Sequence, residues 1–482
     1  MSESTSESVS KSVSKSMSES MSDTTTRTIK CISPIDGSVY AERPVMDKKQ
    51  LTDIFDAAKT AQRDWQTLPL AERCARVVAG IERVGQMPEI VPELAWQMGR
   101  PVRYGGEYNG FHERGTYMAS IAETSLQDTV IEDSDAFLRV IKREPCGNVL
   151  VIAPWNYPYM TAINTIAPAL IAGNATFLKH ASQTILVGER IEQAFHEAGV
   201  PQDIFRHLVL DHDTTSALIG SRAFDFVNFT GSVGAGKTIE QAAAGQFIGV
   251  GTELGGKDPA YVMEDADLEA AVSNVIDGAM FNSGQCCCGI ERIYVASSVY
   301  DAFVEQSVAL VESYKLGNPL AESTTLGPMA QQRFADEVRS QTRAAISAGA
   351  KALIDPKLFP EDGGTYLMPQ LLINVTHDMD VMREESFGPV VGIMKVDSDD
   401  EAVQLMNDSH YGLTASLWTE DAARAEHLGA RIETGTVFMN RCDYVDPGLC
   451  WTGCKQTGRG EGLSPLAYNN LTRPKSYHLK KS

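Results

Sequence analysis

Three adjacent cysteines close the stretch Phe281-Asn282-Ser283-Gly284-Gln285-Cys286-Cys287-Cys288, and of all residues in the chain they are best suited to nucleophilic chemistry. Neighbouring residues point in different directions and cannot meet disulfide geometry without strain, so the run is not a structural cross-link. A reactive thiol at the base of a cleft is what it suggests. Gly284 before the cysteines permits a tight turn, and Gly289 after them lets another group approach the backbone. The same residues also read as small buried apolar side chains, since free cysteine is among the most buried residue types.

Other stretches carry polar residues in settings that suit chemistry. Ala153-Pro154-Trp155-Asn156-Tyr157-Pro158 places an amide at the end of a strand between prolines, where it can donate to an oxyanion or cap the next helix. Glu253-Leu254-Gly255-Gly256-Lys257 sets a carboxylate beside glycines, which suits a general base in a narrow cleft or a salt-bridged turn. Glu384-Glu385-Ser386-Phe387-Gly388-Pro389 offers a carboxylate and a ring to ribose hydroxyls and a flat heterocycle. Phe229 to Thr238 follows a strand and opens a helix, so its N–H groups can hold phosphate oxygens. That loop also satisfies the Walker A pattern through Gly231, Gly236, Lys237 and Thr238, which makes a P-loop NTPase an alternative of another class. Against it, several strands precede the loop, and no apolar strand ending in a magnesium-binding aspartate follows.

These motifs need elements to position them, and 482 residues suffice for two or three domains. A balance of 42 basic against 63 acidic residues, net −21, argues against nucleic acid and anionic membranes as partners. Nine cysteines, an odd number, with no recognisable secretory signal ahead of them, point to a reducing cytoplasm. The uncharged run from Tyr157 to Leu178 approaches the length of a membrane span, but Pro158, Asn164, Pro168, Gly173 and Asn174 interrupt it. It reads as a buried helix followed by a buried strand. Serine occupies every even position from Ser2 to Ser22, with too little apolar surface between to order the chain.

Apolar spacing predicts amphipathic helices around Leu51–Ala58 and Val77–Val84, and a hairpin from Leu126–Ile131 and Phe137–Lys142 across an acidic turn at 132–135. Short strands near 149–153, 175–178, 205–210 and 226–229 then alternate with helices near 160–171, 184–198 and 237–245. A second such series has strands near 259–263, 291–296, 390–396 and 436–439. The fold class is therefore α/β with parallel, doubly wound sheets, whose ligands bind beyond the carboxyl ends of the strands.

With "PWNYP", "FTGS", "ELGGK", "GQCCC" and "EESFGPV" in this order and spacing, the chain resembles the aldehyde dehydrogenase superfamily over nearly its whole length. The resemblance implies an NAD(P)-dependent, non-acylating enzyme that takes an aldehyde to the carboxylic acid through a cysteine thiohemiacetal and thioester. Cys287 would be the nucleophile, Asn156 with the Cys287 N–H the oxyanion donors, and Glu253 the base that activates water. Trp155, Lys179, Ser182, Gly231, Ser232, Glu385 and Phe387 would meet the dinucleotide. Tyr157, Thr161, Asn164, Cys286 and Trp451 would line the substrate tunnel, and no metal is implied. A coenzyme A-acylating relative is the alternative within the fold, and Glu253 argues against it.

The implied organisation is a disordered tail over 1–26, a Rossmann-like dinucleotide domain from 27–124 and 146–253, and an α/β catalytic domain over 254–450. A small β oligomerisation ribbon from 125–145 with 466–482 would pair subunits into a homodimer or homotetramer. The sequence also departs from the family. Ser182 stands where many members carry a ribose-binding glutamate, so NADP should be tolerated, and His180 replaces a proline. Members specialised for succinate semialdehyde carry a basic residue near the position of Asn164; this chain has none there, leaving Arg441 as the candidate carboxylate anchor. Cys450-Trp451-Thr452-Gly453-Cys454-Lys455 replaces the family's usual tunnel-mouth pattern.

Overall fold

The strand Asn148–Ala153 lies at the centre of a five-stranded sheet, buried on both faces, so its sequence is apolar without interruption. Val149, Val151 and Ala153 enter one core with Ile163, Ile166 and Leu170, while Leu150 and Ile152 enter another with Leu51, Phe177 and Ile239. This is the two-residue period of a strand divided between two helical layers. The computed structural model describes residues 27–359 and 363–481. The serine-rich stretch expected to be disordered lies outside the described residues.

The sheet order is Phe205–His207, Ala175–His180, Asn148–Ala153, Phe226–Thr230, Gly249–Glu253, all parallel. A second sheet runs Lys351–Ala352, Gln370–Ile373, Val390–Val396, Ile290–Ala296, Asp258–Val262, Thr414–Trp418, Thr436–Met439. It is parallel except for the antiparallel edge strand Lys351–Ala352. The helix Leu268–Met280 lays Ala271, Val272, Val275, Ile276 and Ala279 on it at helical spacing. A third, antiparallel sheet joins Thr129–Asp133, Phe137–Pro145 and the terminal strand Thr472–Lys480. Among the described residues no helix is long and apolar enough to cross a membrane. The uncharged run folds instead as the helix Pro158–Ala172, a turn at Gly173 (φ 100°), and the strand Ala175–His180.

Several elements differ from the sequence reading. Gly249–Glu253 is a strand, although its sequence GVGTE has no apolar run; its order comes from register with Phe226–Thr230, which pairs Thr230 with Glu253. Gln370–Ile373 and Thr414–Trp418 are likewise strands that the pattern did not mark. The strand expected to reach Leu210 ends at His207. The hairpin starts at Thr129 rather than Leu126, because Ala122–Ser125 forms a short helix before it. Its first strand runs through Asp133, and the turn closes with Ser134 N–H on the Phe137 carbonyl at 2.9 Å.

Candidate active site

The nucleophile loop leaves the helix Leu268–Met280 through three consecutive left-handed residues, Asn282 (φ 55°), Ser283 (φ 56°) and Gly284 (φ 70°). Such backbone is unfavourable for serine and persists only when its surroundings fix it. Here Ser283 Oγ donates to the Gly327 carbonyl (2.8 Å), and Gln285 accepts from Ala330 N–H (2.8 Å) and donates to the Asn282 carbonyl (3.0 Å). Cys286 and Cys288 end up buried with Sγ atoms 3.5 Å apart, while Cys287 between them keeps partial exposure. Hydrogen bonds from Cys287 and Cys288 hold the Cys286 thiol well below its ordinary value, and the same interaction raises Cys287 and Cys288. The three thiols interact electrostatically, and Cys287 alone of the three keeps partial exposure.

Asn156 follows the central strand at its carboxyl end and is buried, with Nδ2 3.3 Å from the Gln285 carbonyl. Its own carbonyl accepts from Arg100 (2.6 Å) and Asn282 Nδ2 (3.3 Å). Arg100 also pairs with buried Glu107, whose other oxygen caps Tyr159 and Met160 N–H groups at 2.9 Å each. The Cys287 N–H makes no hydrogen bond to the described protein and shares this neighbourhood with the Asn156 amide. An amide and a free N–H are donors of the kind that can receive charge on an oxyanion.

Glu253 ends the edge strand Gly249–Glu253. One carboxylate oxygen accepts from Thr230 Oγ1 at 3.2 Å; the other, Oε1, is buried without any partner. Burial pushes its pKa up to about 7. The loop near the carboxyl end closes over it: a Cβ on Gly462 would fall 2.6 Å from Oε1, and Leu254 N–H bonds the Thr457 carbonyl at 2.8 Å. A buried carboxylate poised near neutrality with a free oxygen is equipped to take a proton from water.

A cavity of about 350 Å³ is bordered by Ser232, Gly234, Gln341, Glu385 and Tyr411. Ser232 caps the helix Val233–Ala243 and is exposed, Gly231 N–H bonds the Glu253 carbonyl (3.0 Å), and Lys237 faces solvent. Glu385 accepts from Gly256 N–H at 3.1 Å. Although Glu385 reaches the cavity, loss of solvent and then the charge of Glu291 lift its pKa to about 8. A Cβ on Gly256 would sit 2.5 Å from the Cys287 carbonyl, so the glycine pair is what lets both loops approach. Glu291, paired with Lys257, accepts from Ser386 and Phe387 N–H at 2.8 and 2.9 Å and holds Phe387 at φ 50°. Trp155 meets the Phe387 ring edge-on at 5.5 Å. Lys179 is buried without an ion pair among the described residues, and burial lowers its pKa to about 8; Ser182 nearby is exposed. His180 is buried and held neutral, with a pKa of about 4, by loss of solvent. An unpaired buried lysine, a helix N-terminus and a cavity edged by a carboxylate fit the phosphates and sugars of a dinucleotide.

Of the expected tunnel residues, Tyr157 and Trp451 pack in one core with the cysteines. Trp451 is buried in the same core as Cys286 and Cys288, and the Tyr157 ring lies 4.7 Å from the Arg100 guanidinium. Thr161 spends its hydroxyl on the Tyr157 carbonyl (2.7 Å). Asn164 is buried, and a basic residue distant in sequence stands beside it. Arg114, from the helix Tyr108–Ser120, reaches Asn164 Oδ1 (3.5 Å) and the Met160 carbonyl (3.1 Å) through Nη1. Arg441 is exposed and lies over the Tyr444 ring at 3.8 Å. Arg100, Arg114, Glu107, Glu291 and the glycines that close over Glu253 are the site-forming residues that the motifs did not mark.

Two parallel α/β sheets with a thiol, an amide and a carboxylate gathered between them define a dinucleotide-linked thiol enzyme. The aldehyde dehydrogenase family model matches residues 21–477. The chain is 32% identical over 442 residues to the succinate semialdehyde dehydrogenase [NAD(P)+] Sad of Escherichia coli K12, covering 90% of this chain and 94% of that protein. It is 30% identical to the NADP+ succinate-semialdehyde dehydrogenase of Deinococcus radiodurans, covering 93% and 94%. Among solved structures, PnpE in complex with nicotinamide adenine dinucleotide superposes with a TM-score of 0.90 at 30% identity, covering 95% of both chains. The chain belongs to the aldehyde dehydrogenase family, and it is an NAD(P)-dependent oxidoreductase that converts an aldehyde to its carboxylic acid.

Proposed function

We propose that Cys287 adds to the carbonyl carbon of the aldehyde, with the Asn156 amide and the Cys287 N–H receiving the charge that develops on oxygen. Cys287 attacks as the thiolate, its proton given up to solvent at the partly exposed thiol. The bound dinucleotide supplies the hydride acceptor, seated by Ser232, Glu385, Phe387, Trp155 and Lys179. Glu253 then takes a proton from water through its free Oε1, and the hydroxide adds to the acyl carbon on Cys287. Breaking the C–S bond returns the thiol and releases the carboxylate. The observations that carry this reading are the unpartnered buried Oε1 of Glu253 and the partial exposure of Cys287 between two buried cysteines. Glu253 also favours water over coenzyme A as the group that resolves the thioester. Ser182 places no negative charge near the ribose, so NADP+ is accepted alongside NAD+. The hairpin edge exposes Val130 and Ile131 at 60% and 54%, which supports pairing of subunits along that ribbon.

The test is Cys287→Ala. Oxidation of any aldehyde should fall by at least about 10³-fold while dinucleotide binding persists. Full turnover in that variant would transfer the role to Cys286 or Cys288.

A further inference from the structure

The residues after Glu253 carry the chain from the five-stranded sheet to the seven-stranded one, which they enter at the strand Asp258–Val262. Gly255 and Gly256 stand in that crossing, and a glycine pair has no side chains of its own to fix its backbone. Its conformation must be set from outside. Gly256 N–H donates to Glu385, while the two residues before it are both held by Thr457. The Thr457 carbonyl accepts from Leu254 N–H at 2.8 Å, and its hydroxyl donates to the Gly255 carbonyl at 2.8 Å. The same Oγ1 accepts from Gly412 N–H at 3.0 Å, just ahead of the strand Thr414–Trp418 in the seven-stranded sheet. Thr457 is 0% exposed, so water does not compete for these bonds.

The chain that follows Thr457 lies along Glu253 itself. Arg459 N–H donates to Thr252 Oγ1 at 3.1 Å, and a Cβ on Gly460 would fall 2.9 Å from Glu253 Cγ. Thr230 Oγ1 and Gly231 N–H hold the Glu253 carboxylate and carbonyl from within the five-stranded sheet. Thr457 ties the same residue to the other sheet, the one whose strand Ile290–Ala296 follows the cysteine loop.

We infer that Thr457 is a positioning residue of the reaction: its hydroxyl, bridging the Gly255 carbonyl and Gly412 N–H, sets where Glu253 stands relative to the acyl group on Cys287. It acts through Glu253, so the inference rests on the reading of Glu253 as the base given above. A misplacement of about 1 Å can cost about 10²-fold in rate, and here the loss falls on release of the acyl group rather than on its formation.

The experiment exchanges the hydroxyl for a methyl of similar size in Thr457→Val, with Thr457→Ser, Glu253→Gln and the Thr457→Val, Glu253→Gln double variant beside it. Each is mixed rapidly with saturating dinucleotide and an aldehyde that the unaltered enzyme oxidises, and the reduced nicotinamide is followed across pH. Thr457→Val should give a first turnover within about threefold of the unaltered rate, then a steady state slower by at least about tenfold per active site counted from the burst. Thr457→Ser should restore most of that loss. Loosening the turn admits water to a carboxylate that burial holds at about 7, so the midpoint of the steady-state pH profile should fall below about 6.5 in Thr457→Val. A simple loss of folded protein would move neither the midpoint nor the rate per active site. In the Glu253→Gln background the same substitution should change the steady state by less than about twofold. An unchanged steady state or midpoint in Thr457→Val beside a slowed Glu253→Gln, or a full loss repeated in the double variant, would overturn this inference and leave Glu253 as the base. Full turnover of Glu253→Gln would overturn both. Thr457→Ala removes the same hydroxyl and is held to the same outcomes should the valine variant not fold.

Discussion

Two kinds of buried charge surround the site, and they do different work. Arg100 with Glu107 and Lys257 with Glu291 are paired, and their remaining hydrogen bonds go to the loops around them: Arg100 to the Asn156 carbonyl and Asn282 Oδ1, Lys257 to Ser386 Oγ, Glu291 to the N–H groups of Ser386 and Phe387. Arg114 and Lys179 are buried without an ion pair, and the Oε1 of Glu253 without a hydrogen-bond partner, among the described residues. The paired groups fix the loops that carry the reacting side chains. On the proposed reading, the unpaired ones are completed by ligand and water. In a dry interior an uncompensated charge or lone pair opposes folding, so its survival marks a place reserved for a ligand.

The sharpest way to break this contrast is to orphan a member of the paired set. Arg100→Met leaves Glu107 uncompensated and should cost about 3–5 kcal/mol of unfolding free energy, with turnover of all aldehydes falling together. Denaturant unfolding checks it, and a change under about 0.5 kcal/mol would erase the distinction.

The unpaired set should behave oppositely. The folded-state pKa of Glu253, about 7, lies above its ordinary 4.5, so its ionised form opposes folding. That penalty is absent below about pH 4.5, grows through pH 7, and is then constant at no more than about 3 kcal/mol. Glu253→Gln should therefore be more stable than the unaltered enzyme at pH 8, with the advantage vanishing near pH 4; thermal unfolding across pH reads it. Equal stability at both pH values would mean that Glu253 is not desolvated.

The smallest effect concerns Lys179, which makes no ion pair among the described residues and feels Asp211 only at longer range. Ser182→Glu should supply one and lower kcat/KM with NADP+ by about tenfold relative to NAD+, since a carboxylate repels the 2′-phosphate. An unchanged ratio would place the adenosine ribose elsewhere.

This contrast also explains what the sequence made legible. Cys287, Asn156 and Glu253 sit in short motifs with glycine or proline beside unusual polar residues, so their chemistry shows locally. The central strand Asn148–Ala153 shows because burial on both faces demands an unbroken apolar run. Gly249–Glu253 does not show, since an edge strand of GVGTE owes its order to the register of its neighbour. Arg114 was equally hidden: one arginine in an ordinary helix looks solvated until Met160 and Asn164, some fifty residues on, are seen to enclose it. The same holds for Gly462, whose missing side chain makes room for Glu253 from more than two hundred residues away. Motifs announce groups that react, whereas groups defined by lacking a partner become visible only once the chain is folded.

The most direct test of the account is rapid mixing of Glu253→Gln with aldehyde and a saturating dinucleotide, following the reduced nicotinamide. If the free oxygen of Glu253 activates the water that releases the acyl group from Cys287, each active site should give about one equivalent of reduced dinucleotide at an almost unchanged rate. A steady state slower by about 10²-fold or more should follow. A steady state equal to that of the unaltered enzyme, with no burst, would contradict it.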